Sequence, residues 1–406
     1  MKYDEPVSEL TDGPSISNRI AELRPTAVNA ILAEMRIAQA EGKSLLSLMR
    51  GEPDFATPTH IIEAGVHALR NGRTGYPDNR GEKTFREAVS EKLKRDRGLT
   101  FDPATELLAT TGATLGIYAA LMAVLDAGDE VMMPDPVYDA YHSPVRLAGG
   151  RIREVKSEIR GGRFTFGAED LERAWNPKVK ALILNTPWNP VGSVMSRDEL
   201  AEISAFCKRK NVFLISDEIY EAITYGKAKH LSPLEVSPEI RDRCIIVNSL
   251  SKTYAMTGWR LGYCAGPAKL IQAMFLVLAQ SSRGPATFVQ DAGVTALRGP
   301  QECVERMRLE YSSRRGLLLG RLKGLKVLEP EGGFFAMVDV REAELDSKAI
   351  QRHLMQEHGV VVVHGSAYGP GGEGTLRVSF ASGGENLASG LDRLRHGLVE
   401  VLGHEQ

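Results

Sequence analysis

The sequence predicts an α/β fold: a large domain with a mostly parallel sheet flanked by helices, joined to a smaller α+β domain. Three observations predict it. From about residue 105, short apolar strands alternate with helices, the pattern of a parallel sheet covered on both faces. Beyond about residue 285 the rhythm changes to long helical stretches separated by a few short strands. At 406 residues the chain also exceeds one average domain. The expected division is an N-terminal segment, residues 1–55, packing with the small domain; a large domain, 56–290; and a small C-terminal domain, 291–406.

Residues 1–18 are polar and expected to be loose. Val28, Ile31, Leu32 and Met35 recur at helical spacing and predict a helix over 25–41, closed by Gly42. Residues 45–49 read as a strand that breaks into GEPDF at 51–55. Thr57 and Pro58 start a helix over 59–69. Strands follow at 107–111, 130–133, 152–155, 179–184, 212–215, 244–247 and 261–265. Helices are expected over 113–125, 138–147 and 197–209. The last part carries a helix over 304–322, strands at 334–340, 360–363 and 376–380, and helices over 347–358 and 385–401.

Composition excludes several roles. Hydrophobic residues make up 43% and charged residues 25%, enough apolar material to bury a sizeable core. A formal net charge of −2 leaves no basic excess to neutralise phosphates, which argues against nucleic acid or a membrane surface as partner. Four scattered cysteines, Cys207, Cys244, Cys264 and Cys303, form no Cys-x-x-Cys pair, so no metal site is expected and free thiols in a reducing compartment are. The N-terminus is polar and acidic, and no long apolar run occurs anywhere. Cytoplasmic residence is the expectation.

In a parallel sheet, ligands bind beyond the carboxyl ends of the strands, so the residues after each strand carry the argument. After 107–111 come Gly112, Ala113 and Thr114, small residues at a helix start where backbone N–H groups can meet an anion. After 130–133 two prolines present Tyr138, which can stack on a planar ring or fill a core. After 179–184 Asn189 sits between turn-formers, with its amide held for a ligand or for an Asx turn. After 212–215 come Asp217 and Tyr220. A carboxylate directly after a buried strand needs a partner, either a ligand or a helix start. After 244–247 the chain reads SLSKTYAMTGWRLG (249–262), which places Lys252 between hydroxyls with Arg260 eight residues on. A lysine in a fixed, partly dry place suits Schiff-base chemistry. Hydroxyls with a guanidinium suit a phosphate. Arg377, inside an apolar strand, needs an anion, either a substrate carboxylate or a salt bridge.

With the SLSKTYAMTGWRLG segment, GEPDF (51–55), Tyr76–Pro77, Asn185 through Asn189 and Pro190 to Gly192, and DEIY (217–220), the sequence resembles the class I/II aminotransferases, fold type I of the pyridoxal 5′-phosphate (PLP) enzymes. The motifs come closest to the aspartate/aromatic aminotransferase-like branch. The resemblance runs from about Ile16 to the C-terminus. It implies a PLP-dependent transfer of an amino group between an L-amino acid and a 2-oxo acid. It also implies a homodimer acting on small molecules. Lys252 would carry the cofactor and move the proton. Asp217 would pair with the pyridine nitrogen. Asn189 and Tyr220 would bond the ring oxygen, and Tyr138 would stack on the ring. Ala113, Thr114, Ser249, Ser251 and Arg260 would hold the phosphate, with Tyr76 reaching it from the neighbouring subunit. Arg377, aided by Asn189 and the backbone of Gly51, would bind the substrate α-carboxylate.

The chain departs from the pattern at Arg50, where many relatives carry a small or apolar residue. It also departs at His364, where they often carry proline. Arg283 lies on a loop that borders the partner's site in relatives. These positions leave the amino donor open. They also leave open a lyase, a cyclase/synthase or an oxidase on the same scaffold, because the cofactor does the chemistry and the pocket chooses the bond.

Overall fold

The computed structural model describes residues 26–403 together with Ser17, Ile20 and Leu23; the expectation of a loose tail over 1–18 lies almost wholly outside the described residues. A seven-stranded sheet forms its centre. The strands run in the order Leu107–Thr110, Gly262–Ala265, Cys244–Ser249, Phe213–Asp217, Val179–Asn185, Glu130–Asp135 and Arg151–Lys156. Gly262–Ala265 is antiparallel to both neighbours, and every other pair is parallel. The α/β expectation holds, with one reversed strand in the sheet.

The inner strands are apolar on both faces because both are covered, whereas the edge strand Arg151–Lys156 is largely charged and exposed. All six residues of Cys244–Ser249 and all four of Leu107–Thr110 are buried. Helices Ala113–Val124 and Ala268–Ala279 pack together over one face, around Leu121, Ile271 and Met274. Phe85, Val89, Ile203 and Phe206 belong to the core of the other face. Helix Arg197–Lys210 shows how local chemistry sets the ends. The Ser196 hydroxyl accepts from the Glu199 amide at 3.3 Å, and the Glu199 carboxylate accepts from the Ser196 amide at 2.7 Å. At the other end Asn211 adopts the left-handed conformation at φ 56°.

A four-stranded sheet, in the order Val327–Leu328, Phe335–Asp339, Thr375–Ser379, Val363–His364, carries a second core. Helices Glu302–Arg321, Ser347–Glu357 and Gly384–Val401 contribute Tyr311, Leu318, Leu354, Leu391 and Leu394 to it. Leu46–Ser47 pairs in parallel with Val360–Val361. Helix Ala27–Ala40 packs Ile31 against the cluster of Met49, Met355, Val361, Val363 and Tyr368. The chain therefore enters the site region from strand Leu46–Ser47, through Met49 to Gly51.

Several expected spans differ. The helix expected over 138–147 is a 3₁₀ turn, Asp139–Tyr141, followed by the short helix His142–Leu147, with Pro144 in its first turn. The single strand expected over 360–363 is two two-residue strands in different sheets. Helix Lys83–Arg97 has no counterpart in the sequence reading, because its many charges mask the apolar stripe of Phe85, Val89 and Leu93. No helix among the described residues is long and apolar enough to cross a membrane. The four cysteines are buried free thiols.

Candidate active site

The carboxyl ends of the parallel strands open into a cavity of about 810 Å³. Ala113, Thr114, Tyr138, Asn189, Asp217, Tyr220, Ser251, Lys252, Arg260 and Arg377 line it, with Gly51 at its rim. Residues from seven separate stretches of chain are thus brought to one place.

Asp217 ends strand Phe213–Asp217 and is 4% exposed. Burial pushes its carboxyl up to about 6, against the pull of a hydroxyl donor and of the Lys252 ammonium. That donor is Tyr141, whose hydroxyl gives a 2.5 Å hydrogen bond to Asp217 Oδ2. The other oxygen, Oδ1, accepts from the Ile219 amide at 3.1 Å. Asp217 is thereby fixed in one rotamer. Asn185 donates to the Asp217 carbonyl at 3.0 Å and accepts from the Asn189 amide at 2.7 Å. This links the two strand ends rigidly. Tyr220 packs edge-on against Phe334 and Phe335, and burial lifts its hydroxyl well above the ordinary tyrosine value.

Lys252 stands in the single helical turn Leu250–Thr253. Its Nζ donates to the Gly51 carbonyl at 2.6 Å. Burial, with the neighbouring Arg260 and Arg377 guanidinia, lowers its ammonium to about 8 although Glu52 and Asp217 pull the other way. The Ser249 hydroxyl accepts from the Ser251 amide at 2.9 Å, which starts the turn. Ser249 is buried and is not among the cavity-lining residues.

Arg260 takes a left-handed backbone at φ 55° and lies over Gly112. Gly112 has φ 83°, and a Cβ there would meet Arg260 Nη2 at 2.6 Å. Only glycine lets the guanidinium sit against the start of helix Ala113–Val124, whose amides and positive end suit an anion. A Gly112→Ala exchange is expected to cost about 1–3 kcal/mol in strain. It should also weaken anion binding at this helix start on the order of tenfold by pushing Arg260 aside, read by calorimetric titration with inorganic phosphate.

Arg377 is 3% exposed and is held between the rings of Phe335 and Tyr368, 4.5 and 5.0 Å from their centroids. It donates to the Met49 carbonyl at 3.0 Å and to Asn189 Oδ1 at 3.3 Å. Its Nε is buried and makes no hydrogen bond with the chain. Such an orphan is costly unless a ligand answers it.

Tyr76 does not line this cavity. It is 87% exposed, under the Arg283 guanidinium at 5.7 Å, beside a separate depression formed by Pro77 and residues 279–284. His364 also stays outside, buried with Nδ1 2.8 Å from the Ser366 hydroxyl. Arg50 does reach the cavity, but its guanidinium donates to the carbonyls of Glu52 and Pro53 at 3.1 and 3.2 Å and pairs with the Glu52 carboxylate at 3.5 Å.

Tyr141 and Asp139 are the polar cavity residues of most consequence that escaped the sequence reading. Asp139 is a cavity-lining carboxylate that accepts from the Ala27 amide and leaves Oδ2 without a partner. Their signal was an acid and a tyrosine close after a strand end, in a stretch read only for Tyr138.

The pattern of aminotransferase class I and II matches residues 43–394. The chain belongs to this family. It is 35% identical to the aspartate aminotransferase of Geobacillus stearothermophilus over 394 residues, covering 95% of this chain and 99% of that one. It is 37% identical to aromatic-amino-acid aminotransferase 2 of Thermococcus litoralis, over 95% of this chain and 99% of that one. Its backbone superposes on the aspartate aminotransferase of Thermus thermophilus solved with maleate at a TM-score of 0.89, with 36% identity, covering 95% and 100% of the two chains. The protein is a PLP-dependent aminotransferase that moves an amino group between an amino acid and a 2-oxo acid. The fold-type expectation, an α/β protein of the PLP fold type I, holds.

The cavity suits PLP on its own terms. It offers a buried carboxylate, a depressed lysine, a guanidinium against a glycine-opened helix start, and an unanswered arginine N–H.

Proposed function

We propose that this aminotransferase takes amino acids with neutral side chains, aromatic ones included, and that Lys252, Asp217 and Tyr220 are its catalytic residues. PLP, when bound, supplies an electron sink that lets an amino group leave one carbon skeleton and be returned to another. Lys252 would hold it covalently and, once displaced by the substrate's amino group, its freed amine would take and return the proton of the substrate carbon. Asp217, pinned by Tyr141, would hold a proton on the pyridine nitrogen. Asn189 and Tyr220 would bond the ring oxygen, and Tyr138 would cover one ring face. Ala113, Thr114, Ser249, Ser251 and Arg260 would grip the phosphate, and the Ser249 hydroxyl also starts the turn by accepting from the Ser251 amide. Arg377, with Asn189 and the Gly51 backbone, would orient the substrate α-carboxylate.

One observation carries the substrate proposal. Once Lys252, Arg260 and Arg377 have these tasks, Arg50 is the remaining cationic side chain lining the cavity among the described residues, and Glu52 already engages it. The wall instead presents Val28, Leu32 and Met49, and the unpaired oxygen of Asp139. A second carboxylate there meets a like charge, which costs several kcal/mol at close range (on the order of 1–4 kcal/mol at 4 Å). The test is the half-reaction. The PLP-loaded protein is mixed with single amino acids, and the loss of cofactor absorbance is followed. Phenylalanine, tyrosine or leucine should react faster than aspartate. Faster reaction with aspartate refutes the substrate proposal, and no reaction with any of them refutes the residue assignments.

The same proposal covers assembly and location: a cytoplasmic homodimer in which Tyr76 crosses to the partner's phosphate. Its support is the exposure of Tyr76 outside its own cavity and the four reduced thiols. Sedimentation at twice 44.4 kDa checks the dimer. We also propose the division at residues 55 and 290, supported by the pairing of Leu46–Ser47 with Val360–Val361 and by the separate core of the four-stranded sheet.

A further inference from the structure

Outside the cavity lining, three histidines and a glutamate converge on the last two helices. His353 lies in helix Ser347–Glu357 and His358 caps its end. His396 and Glu400 lie one turn apart on helix Gly384–Val401. His358 Nε2 is 3.3 Å from one Glu400 carboxylate oxygen, and His353 Nε2 is 3.4 Å from the other. Neither contact has hydrogen-bond geometry, and both Nε2 atoms are buried without a partner. The His358 side chain is only 10% exposed. Gly397 makes room for it, since a Cβ there would meet His358 Cδ2 at 2.7 Å. The rings of His353 and His358 meet edge-on at 5.3 Å, and those of His358 and His396 at 5.4 Å.

Two buried imidazole nitrogens aimed at one carboxylate, with neither bonded, form an unsatisfied polar cluster. The distances suggest what satisfies it. A tetrahedral zinc ion holds nitrogen and oxygen ligands at about 2.0–2.2 Å, so its ligands stand roughly 3.3–3.5 Å apart along each tetrahedral edge. The two observed nitrogen–oxygen separations have that length. All the ligand atoms lie within 4.8 Å of one another, so a modest turn of the partly exposed His353 ring closes the set.

We infer that His353, His358 and Glu400 bind a divalent cation of the zinc class, with water or a rotated His396 in the fourth position. Imidazole donors select zinc, cobalt or nickel over magnesium and calcium, which prefer oxygen. The ion would tie helix Ser347–Glu357 to helix Gly384–Val401 and stabilise the folded chain by mass action. The buried set of Glu218, Glu221 and His230 does not compete as a site. Lys92 and Arg97 already answer Glu221 at 2.6 and 3.2 Å, and Ser216 and Ser232 answer Glu218 at 2.9 and 2.7 Å.

The inference stands apart from the substrate proposal and is tested on the PLP-loaded, tag-free protein. Calorimetry and native mass spectrometry with zinc chloride should find one zinc per chain, released by a chelator. Cobalt should give the strong visible bands of a four-coordinate ion. Zinc should raise the thermal midpoint. His353→Ala and Glu400→Gln, both at partly exposed positions, should each weaken zinc binding on the order of tenfold or more. They should leave the cofactor spectrum and the amino-transfer rate unchanged. Wild-type protein that binds no zinc, or zinc binding that survives the double variant undiminished, overturns the site.

Discussion

Lys252→Ala is expected to slow amino transfer by roughly 10²–10⁴-fold, the range lost with a positioned acid–base group, while the protein still folds and takes up PLP. The folding half of this follows from the surroundings. Lys252 gives one hydrogen bond, to the Gly51 carbonyl, and its turn is started by Ser249 rather than by the lysine itself. Alanine removes an amine that burial has already made costly to charge. The chemical half follows from the same burial. With the ammonium lowered to about 8, a useful fraction of the amine is free at neutral pH, whereas an ordinary lysine would be almost wholly protonated. The rate at which apo-protein captures PLP should therefore rise about tenfold per pH unit below pH 8 and flatten above it. Single-turnover spectroscopy of Lys252→Ala, with and without an added small amine, checks the assignment. A variant that retains the wild-type rate would remove Lys252 from the chemistry.

Much of this site was legible from strand ends. Asp217 follows a run of buried apolar residues, so its charge had to be answered by something, and position alone marked it. The lysine segment could be read because hydroxyls, lysine and arginine fall within one short stretch. Tyr141 could not be read in the same way. Its hydrogen bond to Asp217 joins residues 76 apart, and it depends on a 3₁₀ turn where periodicity predicted a continuous helix. Asp139 was hidden likewise: its carboxylate matters because helix Ala27–Ala40 places its first amide there, a contact across more than a hundred residues. Ser249 shows the opposite limit. The resemblance marked it as a phosphate ligand, but a motif does not say that the same hydroxyl also starts the lysine's turn by accepting from the Ser251 amide. Helix Lys83–Arg97 was masked by composition, since nine of its fifteen residues carry charge. The metal inference was equally invisible, because His353 and Glu400 meet only after two helices pack.

Arg377→Ala is expected to raise KM for the amino acid by about 30-fold to several thousandfold, the equivalent of roughly 2–5 kcal/mol for losing one partner of a buried, hydrogen-bonded ion pair. The guanidinium is unusually well prepared for that pair. Phe335 and Tyr368 hold its plane from two sides, and Met49 and Asn189 take two of its N–H groups. The buried Nε is left without a partner. A side chain so immobilised loses little rotamer freedom when a carboxylate arrives, so most of the charge-assisted energy appears as affinity. Arg377→Lys keeps the charge but not the fork, and should fall between wild type and alanine. The comparison that isolates the role uses two donors, an amino acid and the amine of the same side chain without its carboxylate. If Arg377 binds the carboxylate, the variants lose the preference for the amino acid and treat the two donors nearly alike. If it serves only the four-stranded sheet, both donors suffer equally and the thermal midpoint falls with them. The same pair of donors separates Arg377 from Arg260. Replacing Arg260 should weaken PLP itself, and with it the rates for both donors, because its guanidinium lies against Gly112 at the start of helix Ala113–Val124.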